Sequence, residues 1–196
     1  MTPMTDRRVR RTRAALFDAL ISLMSEKGYD AITVQDLIDR ADVGRSTFYS
    51  HFNDKSDLLH ESLSGLRAIV ELSPGAGPPD RRRPVRFSRE MFRHVHDQQP
   101  LLKALLGRPG AGPVVDEIER VLLDVARAEL DTLNGPEATN RVPVDLLARS
   151  VVASYLATLT WWVGNDFRQT PEEMDALFQT TVAPGIRAAI PPPARP

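Results

Sequence analysis

One short stretch of the chain has side chains with the chemistry to read nucleic acid: Arg45, Ser46, Thr47, Tyr49 and His51. An arginine can donate two parallel hydrogen bonds to O6 and N7 of guanine, and such a pair contributes about 1–3 kcal/mol of base discrimination. Arg45 and Tyr49 are one helical turn apart, so on a helix they point outward together with Ser46 beside them. We therefore expect Arg45 to read a base, and Ser46 and Thr47 to make shorter base or phosphate contacts.

The residues before this stretch predict a helix that ends in a sharp turn. Thr33 and Asp36 have the spacing of a capping box at the start of a helix. One apolar face then follows at helical spacing, formed by Val34, Leu37, Ile38 and Ala41. Asp42 lies at the turn, and a short polar residue tolerates left-handed dihedral angles better than most residues do.

A second helix fits residues 44–52, with Phe48 and Phe52 one turn apart on its inner side. A helix with so little apolar surface is stable only when it is docked on other elements, so its polar face is available for a partner. The two helices and their tight turn indicate a helix-turn-helix whose second helix reads DNA.

The ordered positions of this region carry a family resemblance. They are Gly28-Tyr29, Ile32-Thr33-Val34, the run from Ala41 to Tyr49, His51-Phe52, Lys55 and Leu58-Leu59. They resemble the amino-terminal domain of TetR-family transcriptional regulators over roughly the first third of the chain. Asp42 departs from the pattern, because the family usually has glycine there, and this predicts local strain rather than a different fold.

Two further groups of cations are predicted to hold phosphates. Arg7, Arg8, Arg10, Arg11 and Arg13 follow one another without an intervening acid. Alone they suit a solvated helix start, but beside a helix-turn-helix they predict an arm or helix end that contacts phosphates or the minor groove. Lys55 begins the next helix, where a cation opposes the helix dipole, so it is either a tolerated surface residue or a phosphate ligand, and the resemblance favours the ligand.

Tyr49, His51 and Thr33 are expected to contact phosphates as well, fixing register without specifying sequence. The complete predicted DNA-binding set is Arg8, Arg11, Thr33, Val34, Gly44, Arg45, Ser46, Thr47, Tyr49, His51 and Lys55.

Composition limits the alternatives. The 196 residues are 42% hydrophobic and 26% charged, which is ordinary for a globular protein, and the formal charge is −1. Any DNA affinity must therefore come from locally clustered cations. The absence of cysteine excludes disulfides and thiolate metal sites. No apolar run is judged long enough to cross a bilayer and no cleavable targeting segment is recognised, so we expect a cytoplasmic protein without a membrane partner.

Helical periodicity and proline positions predict an all-α fold of about nine helices. The expected parts are an N-terminal helix-turn-helix DNA-binding domain (1–56), a connecting helix (57–72), a loop (73–84), a C-terminal helical dimerisation and ligand-binding domain (85–190) and a disordered tail (191–196). Arg81, Arg82 and Arg83 could form a second nucleic-acid patch, although a solvated loop fits better.

The C-terminal part suggests a homodimer with a ligand pocket. Residues 144–163 are apolar around most of a helix, which must then be covered on more than one side. The predicted dimer interface, from this helix and the last one, comprises Val152, Leu156, Trp161, Met174, Leu177, Phe178 and Val182. The resemblance implies a small-molecule pocket, for which the candidates are Met91, Phe92, Val95, Leu102, Leu105, Leu122, Tyr155, Leu159 and Trp162. For each of these residues plain core packing is the better interpretation, and an effector of such a pocket, if there is one, would be mostly apolar.

Enzymatic and metal-binding chemistry find no support in the sequence. His94 and His96 are two residues apart, so on a helix they point to different sides. Phosphate-loop, dinucleotide, zinc-protease and serine-hydrolase motifs are absent from the sequence. We predict no catalytic residue, no metal and no cofactor.

The sequence therefore favours a dimeric repressor that an apolar small molecule releases from a double-stranded DNA operator. Two alternatives stay open: a helical dimeric interaction protein, or an activator of the same fold without small-molecule control. A ligand-binding enzyme would need a catalytic constellation that is not recognisable.

Overall fold

A computed structural model of the protein describes residues 3–71, 80–106, 112–133 and 141–191. It describes the side chains of these residues except 3–6, 64–71, 101 and 104–106. Within these ranges the chain forms α1 (Pro3–Lys27), α2 (Val34–Ala41), α3 (Arg45–Tyr49), α4 (Lys55–Glu71), α5 (Phe87–Asp97), α6 (Gln99–Leu106), α7 (Gly112–Leu133), α8 (Val144–Gly164) and α9 (Pro171–Ala189). No strand occurs in the described ranges, and the predicted all-α class is confirmed.

The chain divides into two compact units. The first comprises Met1–Gly65 with Pro100–Ile118, and the second comprises Leu66–Gln99 with Glu119–Pro196. The first unit thus takes residues 100–118, which the sequence interpretation assigned to the C-terminal domain.

The first unit is built on a core that α1, α2, α3 and α4 share. Its fully buried centre includes Leu16, Leu20, Leu37, Phe48 and Leu58, and Phe52 is 2% exposed. Burying one side chain of this size stabilises the fold by about 1.5–3 kcal/mol. From α7, Val114 joins the same cluster and Ile118 packs against it.

Local chemistry sets the ends of the first helices. α1 stops before Gly28, whose φ of 76° lies in the left-handed region that glycine adopts without strain. α2 begins with the predicted capping box, because the Thr33 and Asp36 side chains each accept the other residue's backbone N–H. At its end Asp42 is left-handed, with φ 51° and ψ 51°.

The second unit packs α5, α8 and α9 around aromatic rings. Phe92 lies at the centre, with ring centroids 4.8 Å from Tyr155, 5.7 Å from Trp162 and 6.1 Å from Phe178. The pairs with Trp162 and Phe178 are edge-to-face, and such pairs add about 0.5–1.5 kcal/mol each beyond the area that they bury.

The arginine-rich segment before α5 is neither a nucleic-acid patch nor a simple solvated loop, so this part of the sequence interpretation is corrected. Arg81 donates to the carbonyl oxygens of Ile190 at 2.8 Å and Leu133 at 3.1 Å, which lie at the ends of α9 and α7. Arg83 forms an ion pair with the buried Asp175 of α9. Arg82 alone among the three side chains is exposed.

The length of α8 also corrects an expectation. By length and composition alone it could cross a membrane, contrary to the statement that no apolar run is long enough. One side of it, however, including Ala148, Val152, Tyr155 and Trp162, packs inside the second unit. A buried core helix can have the same length and composition, so the length of α8 does not indicate a membrane protein.

Candidate nucleic-acid interface

The candidate reading helix α3 is short and is held by a single aromatic anchor. It spans Arg45–Tyr49 instead of the predicted 44–52, because the chain turns after Tyr49. Phe48 is fully buried, and its ring centroid lies 5.9 Å from that of Phe52. The amide of Phe52 donates to the Phe48 carbonyl at 2.9 Å, so both rings stay in the core although the helix has ended.

The outer face of α3 brings the predicted reading residues together. Arg45, Ser46 and Tyr49 are exposed and Thr47 is half-buried. The Arg45 guanidinium carbon lies 5.9 Å from the centre of the Tyr49 ring. His51 follows the helix and is half-buried, with its ring 6.3 Å from Phe52. These side chains can offer a fork donor, hydroxyls and an aromatic face to a duplex.

Gly44 precedes α3 as its N-cap with an extended backbone, φ −72° and ψ 151°. A Cβ at this position would meet only ordinary contacts, 3.7 Å from Thr47 Oγ1 and 4.0 Å from Ser46 Oγ. Contacts within the described part of the protein therefore do not require glycine at this position. A close approach of the Gly44 backbone to DNA would explain the absence of a side chain.

Ion pairs brace α2 against α1. Arg40 donates two hydrogen bonds to the Glu26 carboxylate, at 2.6 and 2.7 Å. Lys27 Nζ lies 2.7 Å from Asp36 Oδ1, and hydrogen bonds from Lys27 and Thr33 hold the pKa of Asp36 well below its usual range. These contacts are exposed, so we expect them to orient α2 more than they stabilise the fold.

The capping box already uses the donors of Thr33, and the predicted phosphate contact of its side chain stays a prediction that would require its hydrogen bond to Asp36 to open. Its hydroxyl donates to Asp36 Oδ2 at 2.6 Å, and its backbone N–H donates to the same oxygen at 2.7 Å. A hydroxyl has one hydrogen, so none remains for a phosphate oxygen. Val34, the next predicted contact, is half-buried and packs against the core of the first unit.

Lys55 makes contacts within the first unit, and its predicted role as a phosphate ligand stays a prediction. Its ammonium donates to the carbonyl oxygens of Tyr29 at 3.1 Å, Asp30 at 3.2 Å and Ile32 at 2.9 Å. It also lies 4.6 Å from the centre of the Tyr29 ring. An ammonium has three donors, and three acceptors use them all. Lys55 therefore ties the start of α4 to the loop before α2.

The arginines of α1 separate into two groups. Arg7, Arg8, Arg10 and Arg11 are exposed, and from Pro3 onward they belong to a continuous helix, so they form a helix end and not an extended arm. Arg8 and Arg11 are three residues apart and therefore share a face. Arg13 instead pairs with Glu61 and lies 5.4 Å from the centre of the Phe52 ring. Arg13 thus belongs to the packing of the first unit.

Seven of the nine predicted pocket residues are buried, and their contact with a ligand stays a prediction. Those buried inside the second unit are Met91, Phe92, Val95, Leu122, Tyr155, Leu159 and Trp162. Leu102 is half-buried in the first unit, and the Leu105 side chain lies outside the described residues. The Tyr155 hydroxyl is buried without a hydrogen-bond partner in the described structure, and burial raises the pKa of Tyr155.

Sequence reasoning missed a buried polar cluster between α5 and α9. Ser88 donates to Asp175 Oδ1 at 2.6 Å, and Gln179 Nε2 donates to Ser88 Oγ at 3.0 Å. All three residues are at most 6% exposed. The available signal was the polar pair Asp175 and Gln179, one turn apart on the apolar face of a helix.

The predicted dimer residues divide into buried and exposed sets. Val152, Met174, Phe178 and Val182 are buried within the second unit, so their assignment to the interface is corrected. Leu156 is half-buried. Trp161 and Leu177 are 50% and 52% exposed and line an open groove between α8 and α9.

Comparison with known proteins supports the assignment that this geometry suggests. The family model for bacterial regulatory proteins of the tetR family matches residues 16–62, and the model for a transcriptional regulator C-terminal region matches residues 84–183. A crystal structure of a TetR transcriptional regulator from Streptococcus agalactiae superposes with a TM-score of 0.65 at 27% identity, covering 91% of this chain and 97% of that one.

Two curated relatives agree. The HTH-type transcriptional repressor KstR of Mycobacterium tuberculosis is 27% identical over 165 residues, which cover 79% of this chain and 72% of KstR. The uncharacterized HTH-type transcriptional regulator YxbF of Bacillus subtilis is 44% identical over 68 residues, which cover 34% of this chain and only 17% of YxbF. Since the C-terminal model alone spans more than half of the chain and the N-terminal model covers the helix-turn-helix, the protein belongs to the TetR family of DNA-binding transcriptional regulators.

Proposed function

We propose that this protein is a homodimeric repressor whose two α3 helices enter successive major grooves of a pseudo-palindromic operator. The observation that carries the proposal is the exposed face of Arg45, Ser46 and Tyr49 on a helix anchored by the buried Phe48. The hydrogen-bond donors of this face suit base edges and phosphates. Repression as the sign of regulation is taken from KstR, which is named a repressor.

The dimer is proposed to form through the exposed side of α8 and α9. Trp161 and Leu177 are large apolar residues that are half exposed on neighbouring helices, and Leu146 on α8 is 55% exposed. Aromatic residues at the centre of an apolar patch are the usual anchors of protein interfaces. In a two-fold dimer the same patch of each copy forms the interface, so these residues would face the same patch of the second copy.

Arg45 is the proposed base reader. Arg8, Arg11, Ser46, Thr47 and His51 remain the proposed phosphate or short base contacts, with Val34 and Gly44 contributing backbone at the starts of α2 and α3. Thr33 and Lys55 support the motif from within, since their donors are already used.

An apolar effector is proposed to act on the second unit. Support comes from the Tyr155 hydroxyl, which is buried without a hydrogen-bond partner in the described structure. The ring that carries it packs against the rings of Phe87, Phe92 and Phe178. A ligand that entered this core would meet apolar rings and this one polar group, which suits a mainly apolar molecule with one acceptor. Such a ligand would have to separate the aromatic rings, and that movement would be the signal to α5 and α9.

The test is selection of bound duplexes from a random pool by the full-length protein, with the stoichiometry of the complex measured alongside. The expected result is a motif with two related half-sites bound by two chains, with affinity that falls steeply with salt. A helical interaction protein of the same fold would enrich no duplex, and an activator would bind the same motif but raise transcription from it. A regulator of this kind would act in the cytoplasm.

A further inference from the structure

Arg45 is exposed, so a neighbouring group must fix the orientation of its guanidinium if it is to read a base. Its side chain carries about 2 kcal/mol of rotamer entropy when it is free, and specific base recognition requires one orientation of its fork. Its guanidinium carbon lies 5.9 Å from the centre of the Tyr49 ring, which is one helical turn further on.

Tyr49 is itself fixed to the core. Its ring meets that of Phe48 edge-on, with centroids 5.4 Å apart and planes at 86°. Phe48 is fully buried, whereas Tyr49 is 49% exposed. The core therefore fixes Phe48, Phe48 packs against Tyr49, and the Arg45 guanidinium lies 5.9 Å from the centre of the Tyr49 ring.

The chemistry of this contact differs from that of an ion pair. A carboxylate partner would accept hydrogen bonds from the guanidinium and use up the donors that guanine needs. A ring attracts the guanidinium through the charge distribution of its π-system and leaves the donors in the guanidinium plane unused. The arrangement thus holds the fork and keeps it available.

We propose that Tyr49 is a positioning residue for base recognition: its ring holds the Arg45 fork in the orientation that reads guanine. This inference rests on the proposed function. It takes the place of the phosphate contact predicted for Tyr49, and it makes base preference at one position depend on a residue that does not touch that base.

The test compares full-length variants on duplexes selected by the unaltered protein, with every base substituted in turn at each position of a half-site. Arg45→Ala should erase the preference at one base pair, which identifies the position that Arg45 reads. Tyr49→Leu should lower the preference at that same base pair by about two- to fivefold, the ratio that corresponds to an exposed cation–π contact of about 0.5–1 kcal/mol, and leave other positions unchanged. Tyr49→Phe keeps the ring and should match the unaltered protein at every position.

The double variant Arg45→Ala with Tyr49→Leu provides the matched control. In the absence of Arg45, the leucine should have no further effect on base preference. The free energy of unfolding of each variant shows whether leucine has also loosened α3, and loosening would weaken all sequences together without changing the preference at one position.

Three results would overturn the inference. Tyr49→Leu could leave the preference at the Arg45 base pair intact, or Arg45→Ala could change no preference at all. Tyr49→Phe could lose affinity for every sequence as Tyr49→Leu does, with a weaker salt dependence, and this would return the hydroxyl to a phosphate. Failure of the proposed function has a different signature, since the unaltered protein would then enrich no duplex.

Discussion

Asp42, at the turn between α2 and α3, has a left-handed backbone with φ 51° and ψ 51°. Side chains other than glycine adopt this conformation at a cost of about 1–2 kcal/mol, which is smaller for aspartate. We expect Asp42→Gly to raise the free energy of unfolding by about 0.5–1 kcal/mol, because relief of this strain exceeds the extra freedom of glycine in the unfolded chain. Urea denaturation measures it. Asp42→Ala is the control and should lower stability, so an alanine variant as stable as the glycine variant would contradict the strain argument.

Glu129 of α7 shows how one carboxyl group can make stability depend on pH. Burial raises its pKa from 4.5 to about 7, although the Arg86 amide donates to it at 2.8 Å. The folded protein therefore binds more protons than the unfolded chain between these two values. The stability that this group contributes is complete below pH 4.5 and is lost as the pH rises towards about 7.

Glu129→Gln tests that dependence, since glutamine keeps an acceptor oxygen but does not titrate. Between pH 4.5 and about 7 the unaltered protein should lose about 1–3 kcal/mol of stability relative to the variant. Urea unfolding of both proteins across this range isolates the group from all others that titrate. A constant difference would show that Glu129 is ionised in the folded state throughout.

At the scale of elements, the helix-turn-helix is held by contacts between helices that are distant in sequence. Arg40 of α2 pairs with Glu26 of α1, and Lys55 of α4 reaches back to three carbonyl oxygens between Tyr29 and Ile32. The Lys55 contacts tie the first turn of α4 to the loop that precedes α2. A displacement of the start of α4 would therefore move the loop before α2, and with it the helix-turn-helix.

Removal of this connection is expected to act through folding. Lys55→Ala leaves three carbonyl oxygens without their donor and should lower the free energy of unfolding by about 1–3 kcal/mol. Binding to all sequences should weaken while the slope of log affinity against log salt stays unchanged, since no phosphate contact is lost. Arg11→Ala is the matched control and should reduce that slope. A reduced slope for Lys55→Ala would restore the phosphate role.

For the whole molecule, formal charge is −1, so DNA affinity depends on how cations are arranged and how many copies of α3 are presented. A five-residue helix can contact only a few base pairs. Two linked copies gain affinity because the second binds at a high effective concentration. In the proposed homodimer, the exposed side of α8 and α9 therefore decides whether the protein binds its operator tightly enough to regulate transcription.

Trp161→Glu combined with Leu177→Arg should convert the protein into monomers. Both side chains are about half exposed in one copy, so folding should survive, whereas burial of the new charges against a second copy would be costly. Light scattering should show the mass of one chain, and affinity for a two-half-site duplex should fall at least tenfold. Ile21→Glu, at an exposed apolar residue of α1, is the control and should stay dimeric. A dimeric double variant would place the interface elsewhere.

The amino-acid sequence by itself determined the helices, the capping box at Thr33, the stop at Gly28 and the outward grouping of Arg45, Ser46 and Tyr49. Each of these depends on residues within about one helical turn, so the periodicity and capping chemistry are visible in the chain. The sequence pattern did not show that α3 ends at Tyr49, because Phe48 and Phe52 have helical spacing and are both buried although the helix has ended.

Only the tertiary structure decided which polar side chains have hydrogen-bond partners within the protein and which helix faces are buried by other helices. Lys55 meets carbonyl oxygens 23 to 26 residues away, and Arg83 meets Asp175 across 92 residues. On α9 the apolar pattern does not distinguish Phe178, which is buried, from Leu177, which is exposed. Partners so distant in sequence are chosen by how the helices pack, and no local pattern records that choice.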